Sequence, residues 1–337
     1  MKTILSKSSK YANTAIKVTK QQRDILSQNL LSLIIIGGIS IVMLSSQNPI
    51  ARRISEYSVH LMLGLFFLGL GFLALNKVRL TFVSFACVGL MCIFLKNASN
   101  DSLKLAKENT LTNVNIAHIN LGNLDYDLAE VEDVLEQEGI DMISFQELTP
   151  DWNMLVNDAM SKYPHRLSQV RIDPYGKAIY SKYPFSTTEV FDCEGKPNLQ
   201  VVVDKEGQKF NIVSSYLTPA LDKNSIKTAS DELNYISHQI AQSEEPVIVL
   251  GEFNMVYWAN EIRLFREENN LTNSRRGLSQ ANLRVPYDHI FFSNKLECTN
   301  FKELKNEAFA YVGIMGSYQL KAQKEFQTLN NRLSITN

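Results

Sequence analysis

Acidic and amide side chains stand beside four short apolar stretches of the sequence, at places where strands of a sheet would end or begin. The stretches and their polar neighbours are 246–250 with Glu252 and Asn254, 140–145 with Gln146 and Glu147, 115–119 with Asn120, and 290–292 with Asp288. Strand ends are where α/β sheets hold their ligands. Carboxylates and amides collected there can bind a divalent metal ion and a phosphate group. The pattern therefore predicts a metal and phosphate site.

These polar residues need a scaffold of alternating strands and helices, and the sequence from residue 112 onward has that pattern. Leu128, Val131, Val134 and Leu135 form an apolar stripe with helical spacing, which Gly139 ends. Short β-branched runs precede and follow such stripes. This alternation of strand and helix patterns along the sequence predicts an α/β domain.

Charge divides the chain into two parts of opposite character. Residues 1–96 hold 11 Lys and Arg against two acids, whereas residues 97–337 carry a net charge of −10. An acidic domain argues against bulk binding of nucleic acid, because that affinity depends on Lys and Arg.

Cys193 and Cys298 could form one disulfide, but two cysteines do not make a disulfide framework.

Three apolar runs without charges, 30–46, 59–75 and 80–95, occupy the first part of the chain. With their flanking residues, each run approaches the ~20 residues that cross a bilayer core. The alternative is that they are core helices of a soluble protein, but they are apolar on every face. We predict three transmembrane helices and contact with a lipid bilayer.

The distribution of Lys and Arg predicts the orientation of these helices. Six basic residues precede residue 24, and Lys77 and Arg79 lie between the second and third runs, so both regions are expected in the cytoplasm. Arg52 and Arg53 oppose this assignment weakly. We therefore expect a multi-pass protein of the cytoplasmic (inner) membrane with an extracytoplasmic C-terminal domain. The predicted segments are a basic cytoplasmic tail (1–24), three transmembrane helices (25–96), a linker (97–111), the α/β domain (112–325) and a C-terminal tail (326–337).

The order of motifs in the domain resembles that of the endonuclease/exonuclease/phosphatase superfamily, the deoxyribonuclease-like fold, in its bacterial branch with three membrane helices. The matching pieces are Asn120, Gln146-Glu147, 176–184, 251–254, Tyr287-Asp288-His289 and Gly316-Ser317. The resemblance implies a four-layer α-β-β-α sandwich, in which helices cover the outer faces of two sheets. It also implies Mg²⁺ or Mn²⁺ as cofactor.

The resemblance assigns a role to each conserved position of the motif. Glu147 would be the metal ligand, and Asn120 would help to hold metal and phosphate. Glu252 stands where the family has an aspartate that positions the attacking water, and Asn254 would bind phosphate. Asp288 would complete the acidic group.

Two histidines of the family pattern are replaced when the motifs are aligned in this way. Tyr216 stands where the family has the histidine of His-x-x-Pro, and Tyr318 and Gln319 stand where it has the Asp-His of its last motif. His118 shares the strand face of Asn120 and is either a substitute base or a hydrogen-bonded histidine of the core or surface. His289 alternates with Asp288 and should face away from the site.

Two classes of function remain open at this stage. One is a pseudoenzyme that binds a protein partner or a phosphate-containing ligand outside the cytoplasm. The alternative is a metal-dependent phosphodiesterase or phosphatase with altered chemistry. Arg275 and Arg276 could contact an anionic ligand or could lie in a solvated loop.

Overall fold

A computed structural model describes residues 2–44, 48–100, 103–109, 112–123, 128–277 and 284–321. For residues 2–21 and 123 it describes the backbone alone. The chain divides into two compact units, 1–97 and 98–337. The predicted tail 326–337 lies outside the described residues, as do parts of the predicted linker.

The first unit is helical. Its helices are α1 (Lys2–Leu44), α2 (Pro49–Glu56), α3 (Ser58–Ala74) and α4 (Val78–Ala98). The segment Gln22–Leu44 and α4 are long and apolar enough to cross a membrane. The pair α2 and α3 is bent by 73° and makes a third span if it is counted as one. The unit therefore contains two or three helices compatible with a membrane, where the sequence predicts three.

The second unit contains two six-stranded sheets. The strands of the first are β1 (Val114–Asn120), β2 (Met142–Gln146), β3 (His165–Gln169), β4 (Lys177–Ser181), β11 (Leu296–Lys305) and β12 (Tyr311–Leu320). Their order is β11-β12-β1-β2-β4-β3, with β1 and β2 parallel. Because β12 runs antiparallel to β1, its first residues lie near the last residues of β1.

The second sheet is assembled in a similar way. Its strands are β5 (Phe185–Cys193), β6 (Lys196–Lys205), β7 (Gln208–Tyr216), β8 (Val247–Glu252), β9 (Leu271–Asn273) and β10 (Asp288–Ser293), in the order β5-β6-β7-β8-β10-β9. The pair β7 and β8 is parallel, whereas β10 is antiparallel to β8. Tyr216, Glu252 and Asp288 are therefore in register across three neighbouring strands.

Three apolar clusters hold the layers together. One lies between the two sheets and includes Ile116, Ile212 and Ile314. The others lie under the outer helices, which are α5 (Leu128–Gln137) and α6 (Pro150–Ala159) on the first sheet and α7 (Lys223–Ala241) and α8 (Asn260–Glu268) on the second. The α-β-β-α sandwich is confirmed, and it follows from strands that alternate their side chains between an inner and an outer core.

Candidate functional site

The polar strand ends predicted from the sequence meet at one end of the sandwich. Asn120 ends β1 in the first sheet, and Glu252 ends β8 in the second. The Asn120 amide nitrogen donates to Glu252 Oε2 across the two sheets and to Glu147 Oε1 at 2.9 Å. Gln146 Oε1 accepts a second bond between the sheets, from the Glu252 backbone N–H at 3.1 Å. Asn120 and Glu252, which are 132 positions apart in sequence, thus belong to one cluster of polar side chains.

Close backbone packing holds Glu147 in place. Its backbone is left-handed, with φ of 58°, so the side chain leaves β2 at a turn. The carboxylate lies against Gly122, where an added Cβ would stand 2.1 Å from Glu147 Oε2. The Gly122 N–H donates to Asn120 Oδ1 at 2.9 Å, which fixes the amide that faces the two carboxylates. Residue 122 must therefore be glycine for this arrangement.

Glu252 lies in an environment that disfavours its charge. Burial and, to a smaller extent, the nearby carboxylates of Asp288 and Glu147 together raise its pKa to about 7, although the bond from Asn120 acts in the opposite direction. Three acidic side chains, Glu147, Glu252 and Asp288, thus lie close together. Arg284 is the cation that opposes this trend.

Tyr216 and Asn254 line the second-sheet side of the same region. Burial raises the pKa of Tyr216 to about 12, while a bond with Asn254 lowers it and the charges of Glu252 and Glu147 raise it. The Asn254 amide also donates to the Leu217 carbonyl at 2.8 Å. The Tyr216 phenol is therefore protonated at neutral pH and cannot serve as a base there.

Asp288 is bound from three directions. The Tyr311 hydroxyl donates to its Oδ2 at 2.6 Å, and Arg284 Nη2 lies 3.4 Å from the same oxygen. The Arg284 guanidinium also stacks over the Tyr311 ring at 3.7 Å. Asp288 Oδ1 lies 3.7 Å from His118 Nε2, and neither atom has a hydrogen-bond partner among the described residues.

Both histidines near the site are buried and neutral at pH 7. His118 lies between the sheets beside Ser144, and burial lowers its pKa to about 4 although Asp288 acts in the opposite direction. His289 faces away from the site, as its alternation with Asp288 predicts, and contacts Phe253 and Phe291. Burial lowers its pKa to about 3. Neither imidazole is poised to exchange a proton near pH 7.

The predicted replacement of the last motif by Tyr318 and Gln319 is wrong. Tyr318 pairs with Val114, the first residue of β1, and so lies at the end of the sheet opposite Asn120. Its hydroxyl contacts Ser274 at 2.6 Å, and Gln319 donates to the Lys107 carbonyl. Gly316 and Ser317 are interior residues of β12 rather than a loop, and therefore the motif alignment was displaced along this strand.

Tyr311, seven residues before Tyr318, is the residue of β12 whose side chain contacts the site at Asp288. Sequence reasoning missed it, although it belongs to the last apolar run, 308–315, which follows the polar Asn306-Glu307. Arg284 and Lys177 were missed as well. Lys177 pairs with Gln146 at the end of β2, is 1% exposed, and has a pKa lowered by burial to about 7.

The site can accept a metal ion by the chemistry of its donors. Among the described residues, no three His, Cys, Asp or Glu side chains converge as ready-made metal ligands. However, the carboxylates of Glu147 and Glu252 both contact the one Asn120 amide. Mg²⁺ is commonly held by one or two carboxylates with water and phosphate oxygens. The acidic charge of Glu147 and Glu252, which form no ion pair within the described residues, also suits a divalent cation.

The four cysteines are free, so Cys193 and Cys298 are not bonded to each other.

Comparisons with known proteins agree on the fold. The sequence model of the Endonuclease/Exonuclease/phosphatase family matches residues 113–310. No curated protein sequence matches the chain.

Three solved structures are similar to the second unit. An endonuclease/exonuclease/phosphatase from Bacteroides vulgatus shares 13% identity with a TM-score of 0.52, covering 62% of this chain and 100% of its own. One from Beutenbergia cavernae shares 13% identity with a TM-score of 0.50, covering 63% and 72%. TDP2 of D. rerio, complexed with a single strand DNA product, shares 18% identity with a TM-score of 0.50, covering 61% and 99%. At these identities the likeness shows the fold alone.

Proposed function

Because the chain belongs to the Endonuclease/Exonuclease/phosphatase family, we propose that its second unit is a phosphate-binding domain with lost or strongly weakened hydrolysis. In this proposal the domain recognises a phosphate-containing ligand, or a protein partner that carries one, without ordinary turnover. The N-terminal helices anchor it to the membrane.

The observation that supports weak chemistry is the environment of Tyr216. This phenol stands beside Glu252 and Asn254, and its pKa of about 12 keeps it protonated. The second phenol, Tyr311, has a pKa raised well above its ordinary value by burial, and its hydroxyl donates a hydrogen bond to Asp288. A missing general base costs about 10²- to 10⁴-fold in rate.

The binding side of the proposal rests on residues at the positions that match the family motifs. Glu147 and Glu252 would hold Mg²⁺ or Mn²⁺ with the help of Asn120. The bound ion would supply positive charge to phosphate oxygens. Asn120 orients both carboxylates, and Gly122 keeps the Asn120 amide turned toward them. Asn254 lies at the position of the family's phosphate-binding amide.

The location of the domain is part of the same proposal. The basic residues before position 24 and those at Lys77 and Arg79 favour a cytoplasmic side for both regions. Three crossings, with α2 and α3 counted as one span, would then carry the second unit outside the cytoplasm.

The test is metal binding and turnover measured on the same samples of the full chain in detergent. Calorimetry with Mg²⁺ and Mn²⁺ should show binding that Glu147→Gln abolishes, whereas Glu189→Gln, an exposed glutamate on β5, retains it. Hydrolysis of bis-nitrophenyl phosphate should be negligible in the unmodified chain. Replacement of both phenols, Tyr216→His with Tyr311→His, should raise it at least tenfold if the missing base limits the rate.

A second candidate is a metal-dependent phosphodiesterase or phosphatase with altered chemistry. Its support is that Asn120, Glu147, Glu252, Asn254 and Asp288 all meet at one end of the sheets. Turnover of the unmodified chain at ~1 s⁻¹ or faster, lost in Glu147→Gln, would establish this candidate and exclude the first.

A further inference from the structure

A basic cavity lies outside the acidic site, between the connection that follows β9 and the strand β11. Its volume is about 310 Å³. The side chains that carry its chemistry are Arg275, Arg276, Phe301, Lys302, Glu303 and Lys305. Four cations thus face one carboxylate, in a unit whose net charge is strongly negative.

Arg275 is held rigidly in the wall of this cavity. Its backbone N–H donates to Asn273 Oδ1 at 3.0 Å, and its Nη1 donates to Glu303 Oε1 at 2.9 Å. The guanidinium lies over the Phe301 ring, 5.3 Å from the centroid. The residue is 5% exposed, yet its Nε has no acceptor among the described residues. A buried donor without an acceptor is costly, so a ligand that accepts from it would be stabilised.

Two of the four cations of the cavity form ion pairs within the protein, and the other two form none within the described part of the chain. Glu303 is neutralised by Arg275, and Lys302 Nζ lies 2.5 Å from Glu138 Oε2. Arg276 is exposed and Lys305 is half-buried, and neither forms an ion pair within the described part of the chain. Two unpaired cations therefore stand beside a fixed guanidinium. Guanidinium and ammonium groups in this combination suit the oxygens of a phosphate.

The cavity lies one strand away from the acidic site. Lys305 of β11 pairs with Tyr311 of β12, whose hydroxyl contacts Asp288. We propose that this cavity is an anion-binding pocket that takes a phosphate group, either of a soluble ester or of a lipid headgroup. The pocket uses none of the carboxylates of the acidic site, so it does not depend on the function proposed above.

The experiment uses the full chain in nanodiscs of phosphatidylcholine, with inorganic pyrophosphate as the probe. Chelator removes divalent metal, so that the acidic site repels the anion. Calorimetry should show one binding event in the unmodified chain. The double variant Arg276→Ala with Lys305→Ala should weaken it by about tenfold or more, because two charge-assisted contacts are lost. The control, Lys209→Ala with Lys227→Ala, removes the same charge from exposed positions on β7 and α7 and should bind as the unmodified chain does.

Comparable affinity in the pocket variant and the unmodified chain would overturn the proposal, as would an equal loss in the control. Absence of pyrophosphate binding in the unmodified chain would overturn it too. A second set of nanodiscs containing phosphatidylglycerol distinguishes the source of the phosphate. At 0.15 M salt, where charge effects are screened beyond about 8 Å, competition by this lipid supports a headgroup ligand. Pyrophosphate binding that phosphatidylglycerol leaves unchanged supports a soluble one.

Discussion

Glu252 combines burial with two acidic neighbours, and this decides how the domain responds to pH. Its folded pKa of about 7 lies above the ordinary value of 4.5, so the folded state holds the proton more tightly than the unfolded chain does. Protonation therefore favours folding. The free energy of unfolding should fall as pH rises from about 4.5 to 7 and should change no further above that range.

We expect Glu252→Gln to remove this dependence, because glutamine carries no charge at either pH. In the unmodified chain, the free energy of unfolding should fall by roughly 1–3 kcal/mol between pH 5 and pH 8, after allowance for screening. Denaturant unfolding of the full chain in detergent with chelator, at both pH values, measures it. An equally steep decline in Glu252→Gln would show that another group is responsible.

Gly122 supports the metal site by leaving space for the Glu147 carboxylate. We expect Gly122→Ala to reduce Mg²⁺ affinity at least tenfold, because the added methyl group would stand 2.1 Å from Glu147 Oε2 and displace it. Calorimetry measures the affinity. Gly89→Ala is the matched control, because a Cβ at Gly89 meets no atom within 4 Å. Unchanged Mg²⁺ affinity in Gly122→Ala would exclude Glu147 as a ligand in its present position.

At the scale of elements, α7 fixes the chain segment that leaves β7 beside Tyr216. Glu232 on α7 is 3% exposed and accepts from the Thr218 N–H at 2.8 Å and the Thr218 hydroxyl at 2.7 Å. It also pairs with Lys196 of β6 at 2.5 Å. One buried carboxylate thus joins a helix, a strand and the loop that borders the site.

We expect Glu232→Ala to destabilise the second unit by about 1–3 kcal/mol, since it removes the acceptor of the Thr218 N–H and the charged partner of the half-buried Lys196. Asp231→Ala, at the exposed neighbouring position, should change stability by about 0.5 kcal/mol or less. Denaturant unfolding compares the two variants. Similar free energies of unfolding for both would mean that the Glu232 contacts contribute little.

At the scale of the whole molecule, the function that we propose assigns anchoring to the first unit and binding to the second. The first unit holds apolar helices and excess positive charge, whereas the second holds the acidic site and the basic pocket. These two characters suit a domain that acts at a membrane surface. The distribution of Lys and Arg predicts that the surface is the extracytoplasmic one.

We expect reporters fused after residue 321 to show an extracytoplasmic domain. Alkaline phosphatase should be active there and green fluorescent protein dark, because each matures on one side of the membrane. The same reporters fused after Lys77 should give the opposite pattern. A fluorescent protein signal after residue 321 would instead indicate an even number of crossings, as when α2 and α3 do not form a span.

Local patterns in the sequence determined the α/β class, the apolar N-terminal helices and the grouping of five polar residues at one end of the sheets. Alternating apolar residues define strands, and strand ends of one sheet meet at one edge, so Asn120, Glu147, Glu252, Asn254 and Asp288 could be grouped without coordinates. The wrong alignment at Gln319 had a physical cause. Which residue of β12 faces the site depends on its antiparallel register with β1, and no local pattern specifies that register.

The tertiary structure alone decided the charge state and the neighbours of these residues. The bond from Tyr311 to Asp288, the burial of His118 and the cavity beside Arg275 each depend on segments that are distant in sequence. Burial and proximity set pKa values and ligand access, and both arise only when the two sheets pack together.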